Sequence, residues 1–91
     1  MSNAFRDNTA RHRYELDAPE GASWAEYRDL DGVRVITHVE TPAEARGLGY
    51  ASKLMGKVVD EARENGRKLR PSCSYAVAYF QRHRDTADVQ A

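Results

Sequence analysis

The sequence has little cysteine. Cys73 is the one thiol among 91 residues. It closes no internal disulfide, which excludes a stapled secreted scaffold and fits a reducing cytoplasm. Neither sign of charge is in surplus, with 14 basic against 14 acidic residues and a pI near 6.8. That balance offers no broad attraction for nucleic acid or an anionic membrane. No apolar run approaches the ~20 residues of a membrane helix, and no charged-then-apolar leader opens the chain. No repeat, low-complexity tract or domain linker is visible, and no metal is expected. The chain is short, so one domain with a modest core is expected and a separate substrate lobe is not. A large acceptor must then be met on an open surface or by a second subunit, the chain itself being a monomer or weak dimer.

What is present is ordinary for a folded domain: 41% apolar and 31% charged residues. Met1-Ser2-Asn3-Ala4 is set aside as in part a cloning scar. Residues 1–10 are polar and unpatterned, a flexible arm. From Arg11 to Leu16 the residues alternate, His12, Tyr14 and Leu16 on one face, which reads as a strand. Asp17-Ala18-Pro19-Glu20-Gly21 is turn chemistry. A second strand covers Ala22 to Arg28, with Ser23, Ala25 and Tyr27 opposite Trp24, Glu26 and Arg28. Asp31-Gly32 marks a tight hairpin. The third strand runs from Val33 to Glu40; Val33, Val35, Thr37 and Val39 share one face, Arg34, Ile36, His38 and Glu40 the other.

After Pro42 a loop leads to Gly49, where the period becomes helical. Leu54, Met55, Val58, Val59 and Ala62 form an apolar stripe, and Asn65-Gly66 supplies the stop. A short strand follows from Lys68 to about Ser72, then a helix from Ser74 to Arg82 with Val77, Ala78 and Phe80 as core. Residues 85–91 read as a frayed tail, leaving 11–84 as the domain. The order β-β-β-α-β-α predicts an α/β (α+β) fold. It is an antiparallel meander with a right-handed parallel βαβ crossover and helices against the sheet.

The junction Arg46-Gly47-Leu48-Gly49-Tyr50-Ala51 carries the first chemical signal. A helix start leaves amides unpaired and partly positive, and small residues let a diphosphate approach them. Arg46 can add a charge-assisted bond. The junction follows the carboxyl end of the third strand, where α/β crossovers place ligands.

Arg46-x-x-Gly49-x-Ala51 also resembles the GNAT acetyltransferase signature: Gln or Arg, two residues, Gly, one residue, then Gly or Ala. The stretch from Thr37 to His83 is similar to short single-domain members of that superfamily. Its pieces are His38-Val39-Glu40-Thr41-Pro42, then Arg46-Gly47-Leu48-Gly49, then Pro71-Ser72-Cys73, then Tyr79 and His83. The resemblance implies acetyl-CoA as co-substrate, with its pantetheine arm between splayed parallel strands and bonded near His38, Val39, Glu40 and Thr41. The acceptor it implies is an amine that the resemblance does not identify. Two departures stand out. Arg84 and Ser74 occupy positions where the family has Pro, which alters the caps of the last helix.

Four candidate catalytic residues follow. Cys73 precedes a helix, whose free amides favour a thiolate that attacks the thioester or lines the acceptor pocket; the alternative is a small buried hydrophobe. His38 and Glu40 share a strand face and are candidate bases for an acceptor amine, against a bonded core histidine and a solvated strand end. Tyr79 matches the tyrosine that protonates the departing CoA thiolate in GNAT enzymes, with Tyr75 one turn earlier; aromatic packing is the alternative. His83 reads as structural. Arg63, Arg67, Lys68 and Arg70 are either a 3′-phosphate contact or, the preferred reading, solvated surface. The function expected is acetyl transfer to an amine. The rivals are a CoA or acyl-CoA sensor without transfer and a partner-binding domain without ligand.

Overall fold

A computed structural model describes residues 3–91; Met1 and Ser2, half of the segment set aside above, lie outside the described residues. The strands are β1 (Phe5–Asn8), β2 (Arg13–Leu16), β3 (Ser23–Leu30), β4 (Val33–Glu40) and β5 (Lys68–Pro71). The helices are α1 (Tyr50–Glu64) and α2 (Ser74–Arg82). The sheet order is β1-β2-β3-β4-β5, antiparallel except for the parallel β4–β5 pair. This is the mixed α/β architecture expected, with one strand more.

That strand corrects the expectation of a loose arm over residues 1–10. β1 pairs with β2 from Phe5↔Leu16 to Asn8↔Arg13. Asp7 hides the strand in the sequence, since an inward-facing acid breaks the apolar alternation. It is matched by Arg34, which sits in the core rather than on a surface face. Arg34 is 6% exposed. Its guanidinium donates to both Asp29 oxygens at 2.7 and 2.9 Å, and to Tyr14 Oη at 2.9 Å. It pairs with Asp7 at 3.1 Å and lies 3.8 Å from the Tyr27 ring centroid. A buried cation is tolerated only when its donors are used in this way. Burial pushes the Tyr14 phenol up to about 12, even against the Arg34 hydrogen bond. The hydrogen bond from Arg34 holds the Asp29 carboxyl below its ordinary range, against a smaller opposing effect of burial. Asn8 accepts from Arg11 N at 3.3 Å, closing a 3-10 turn at Thr9–Arg11. His12 then takes φ 54°, so β2 begins at Arg13 rather than Arg11.

α1 buries the predicted stripe of Leu54, Met55, Val58, Val59 and Ala62. Each large side chain there contributes about 1.5–3 kcal/mol of transfer free energy. α2 buries Ala76, Tyr79 and Phe80 in the same core; Val77 and Ala78, expected beside Phe80, are only partly buried. The frayed tail is also corrected. Arg84–Val89 forms a 3-10 helix that buries Thr86 and Val89. Arg63 grips Asp88 at 2.7 and 2.9 Å, and Ala91 N donates to Leu69 O at 2.8 Å. Gln90 pairs parallel with Leu69 along the outer edge of β5. No helix among the described residues is long and apolar enough to cross a membrane.

Candidate functional site

β4 carries a defect that matters for chemistry. Its register with β3 runs Tyr27↔Ile36 and then Glu26↔His38, so Thr37 is an extra, bulged residue. Strand side chains alternate, and one inserted residue reverses the alternation. Arg34 and Ile36 face the core below the bulge, while Val39 packs against it above. His38 and Glu40 therefore turn away from the face of Arg34 and Ile36, a correction to the simple period-two reading. They remain neighbours, with Nε2 to Oε2 at 3.2 Å.

β5 stops beside the bulge. The last β4–β5 pair is Ile36↔Pro71. Ser72 N and Cys73 N both donate to Ile36 O, at 2.9 and 3.4 Å. Beyond that point the chain turns into α2 while β4 continues to Glu40, so Thr37–Glu40 keep an edge that β5 does not cover.

The chain then folds back through Pro42 and a 3-10 turn at Ala43–Ala45, with Ala45 buried. Gly47 and Gly49 adopt φ 82° and 85°, left-handed values that strain a residue with a Cβ. Gly49 is the N-cap of α1, and no side chain caps it. The first bond into the helix is Lys53 N to Gly49 O at 3.1 Å. The amides of Tyr50, Ala51 and Ser52 thus have no intrahelical acceptor.

These elements enclose an open groove of about 600 Å³. Of the residues expected to hold a ligand, Val39, Glu40, Thr41, Arg46, Gly47, Gly49, Tyr50 and Ala51 line it. Ala45, Ser52 and Tyr75 line it as well. Ser52 gave no sequence signal beyond being the third residue of the helix, and Ala45 none beyond its size. Leu48 points outward, 56% exposed. Arg46 is 68% exposed at the rim, 3.4 Å from Thr41 O and 3.6 Å from Glu40. The nearby Glu20 carboxyl holds the Tyr50 phenol above its ordinary pKa.

The four candidate catalytic residues are placed differently. His38 is half exposed beside Glu40, outside the groove lining. Cys73 is the N-cap of α2, its Sγ accepting from Ala76 N at 3.4 Å; it is half-buried, packs on the core and does not line the groove. Tyr79 is buried, stacks on His83 with centroids 4.1 Å apart, and sends its hydroxyl over Gly56 of α1. Tyr75, one turn earlier, is 37% exposed and lines the groove. Burial raises the pKa of both phenols, so each keeps its proton at neutral pH.

Of the cluster Arg63, Arg67, Lys68 and Arg70, the first three lie at the other end of α1, ~20 Å from the groove at 1.5 Å per residue, while Arg70 stands further along β5, opposite Val35. Arg63 is held by Asp88, Arg67 by Glu61 at 3.3 Å, and Lys68 by Asp88 O at 2.6 Å. Among the described residues no group of three His, Cys, Asp or Glu side chains is placed to hold a metal.

No curated protein matches the chain. Among solved structures, it is similar to a GCN5-like protein from Staphylococcus aureus, provisionally assigned as an N-acetyltransferase and solved by NMR. The two share 28% identity and a TM-score of 0.70, over 100% of this chain and 91% of that one. The family profile described as GCN5-related N-acetyl-transferase matches residues 13–89. That match spans the sheet from β2 onward, the groove and both helices, and the chain belongs to the GCN5-related N-acetyltransferase family.

Proposed function

We propose that the groove binds acetyl-CoA and that the chain transfers the acetyl group to an amine. The observation that carries this reading is the uncapped start of α1 opening into a groove whose other wall is the uncovered edge of β4. The two walls suit the two halves of one ligand. A diphosphate takes the free amides of Tyr50, Ala51 and Ser52 together with the partial positive charge of the helix end. Arg46 swings from its weak local contacts onto a phosphate oxygen. An arm containing amides pairs with Thr37–Glu40 as a strand would. Family members use acetyl-CoA as co-substrate.

Bound acetyl-CoA supplies the acyl group as a thioester. Backbone donors on the bulged edge of β4 polarise its carbonyl. The His38–Glu40 pair accepts the proton that the attacking amine loses as the C–N bond forms. Tyr75 returns a proton to the sulfur as the C–S bond breaks; it takes this role over Tyr79 because its side chain reaches the groove. Cys73 is assigned no covalent step, since its sulfur is committed to the α2 cap.

Titration calorimetry with acetyl-CoA, followed by assay of free CoA across amines, tests the proposal. Saturable binding with amine-dependent release of CoA is the expected result. Binding without release from any amine favours the sensor, for which the open, lobe-less groove is the supporting observation. Absence of binding removes the proposal.

A further inference from the structure

We infer that the acceptor is an anionic amine, one whose own carboxylate or phosphate is held by Arg28 and Arg70 on the helix-free face of the sheet. The inference rests on the acetyl-transfer reading above and adds the chemical class of acceptor.

The topology decides which side an acceptor uses. β4 passes to β5 through α1, and β5 passes to the Gln90 bridge through α2, both connections parallel and stepping the same way across the sheet. Right-handed crossovers in one direction put their helices on one face. Tyr79 lying over Gly56 agrees with this. The opposite face carries no helix. The bulge at Thr37 turns His38 and Glu40 onto that open face, where their cross-strand partners are Glu26 and Trp24. The proposed base is thus on the open side, and the helix-start amides are on the other. An amine reaching His38 comes across the open face.

The ladders beside His38 define what that amine meets. Val35 is flanked directly by Arg28 on β3 and Arg70 on β5. With strands ~4.8 Å apart, the two arginines stand ~10 Å apart astride an apolar floor. Val35 lies three residues from His38, ~7–10 Å along the strand. Two other cations of this face are committed: Arg6 and Arg13 hold Glu15 at 2.7 and 2.6 Å. Arg28 and Arg70 are exposed and form no ion pair with any described residue. The nearest acid of the face, Glu26, accepts from Trp24 Nε1 at 2.9 Å. A depression of about 800 Å³ beside Arg28, lined also by Arg11, Glu26, Asp29, Leu30 and Thr37, provides room on the β3 side of Val35. Guanidinium forks match carboxylate and phosphate oxygens. Two uncommitted forks near the base select an amine with an anion about 7–10 Å from its nitrogen, given the strand rise.

The test measures CoA release by protein whose acetyl-CoA binding has been verified by calorimetry. The acceptors are equal-length peptides with a free amino terminus and an acidic, neutral or basic third residue, plus 5-aminopentyl phosphate against 5-aminopentanol. The expected result is a preference for the acidic peptide or the aminopentyl phosphate of about fivefold in kcat/KM, the size two exposed charge contacts support. The preference shrinks with added salt and disappears in the Arg28→Ala/Arg70→Ala variant through KM, while acetyl-CoA affinity is unchanged. Arg28→Lys/Arg70→Lys retains part of it. The peptide and phosphate arms separate the two sources of the anion. The inference is overturned if neutral or basic amines serve as well, if the preference survives the double alanine variant, or if no anionic amine releases CoA from protein that binds acetyl-CoA. Failure to bind acetyl-CoA at all strikes the underlying reading instead.

Discussion

Replacing Arg46 with alanine isolates the side chain assigned to a phosphate. In the free protein Arg46 does little for the fold. It is 68% exposed, its Glu40 contact is 3.6 Å, and its bond to Thr41 O is a long 3.4 Å. Exposed pairs of that kind are worth ~0.2–1 kcal/mol, so the variant should melt within a few degrees of the parent. Its effect on the ligand is larger. A hydrogen bond to a charged group contributes ~1.5–3 kcal/mol. Subtracting ~0.5 kcal/mol for the surrendered Glu40 contact leaves ~1–2.5 kcal/mol, which is roughly a 5- to 70-fold rise in Kd. Calorimetry with acetyl-CoA at low and moderate salt reads this directly, and Arg46→Lys should recover part of the loss because it keeps the charge but not the fork. A Kd within twofold of the parent, with the fold intact, would refute the assignment of Arg46 to the diphosphate.

Arg34→Leu strips the core of its cation and leaves Asp7 with only the Tyr27 hydroxyl and the Tyr14 hydroxyl with only Glu61; the expected cost is about 3 kcal/mol, the low end for a broken buried pair because those partners remain and Asp29 is 54% exposed. Urea denaturation checks it, and a loss under about 1 kcal/mol would show that the network is not cohesive. Acid should destabilise the protein through Asp29 and Glu15. Against burial, hydrogen bonds from Arg13 and Asn8 hold Glu15 below its ordinary pKa, and Arg34 does the same for Asp29. Depressed carboxylates contribute stability above their unfolded pKa values, and that contribution is lost as pH falls through the folded ones. The urea midpoint should therefore be level near pH 6 and drop below about pH 4; a midpoint that rises on acidification contradicts this. Tyr75→Phe should lower kcat about 10²-fold or more with acetyl-CoA affinity retained. Tyr79→Phe should leave kcat near the parent value, and a reversal of those two results would return the acid role to Tyr79.

Much of this fold is legible in the residues because regular elements advertise their period. β4 from Val33 to Glu40 and α2 from Ser74 to Arg82 fall where alternation and helical spacing put them. The α1 stripe is buried as its spacing predicts. β1 is not legible, because its inward residue Asp7 reads as polar coil until Arg34, 27 positions away, is brought beside it. The tail is illegible for a related reason: Thr86 and Val89 are buried where their 3-10 segment packs against α1 and α2, not by any local pattern. The bulge at Thr37 leaves no compositional trace, yet it decides which way His38 and Glu40 face. Within the site, backbone features follow from the glycines and the proline, so the groove wall from Val39 to Ala51 is largely recovered. Side-chain direction is harder. Tyr79 and Tyr75 lie one turn apart, and only the space over Gly56 draws the first hydroxyl inward while the second meets the groove.

The central claim is that the free amides opening α1 receive the diphosphate of acetyl-CoA. Titrating ¹⁵N-labelled protein with acetyl-CoA and following each amide by NMR tests it most directly. The account predicts that the amide signals of Gly49, Tyr50, Ala51 and Ser52 move furthest, together with those along Thr37–Thr41, and that inorganic pyrophosphate alone moves the first group but not the second. Shifts confined to another surface, or no shift at saturating coenzyme, would contradict it.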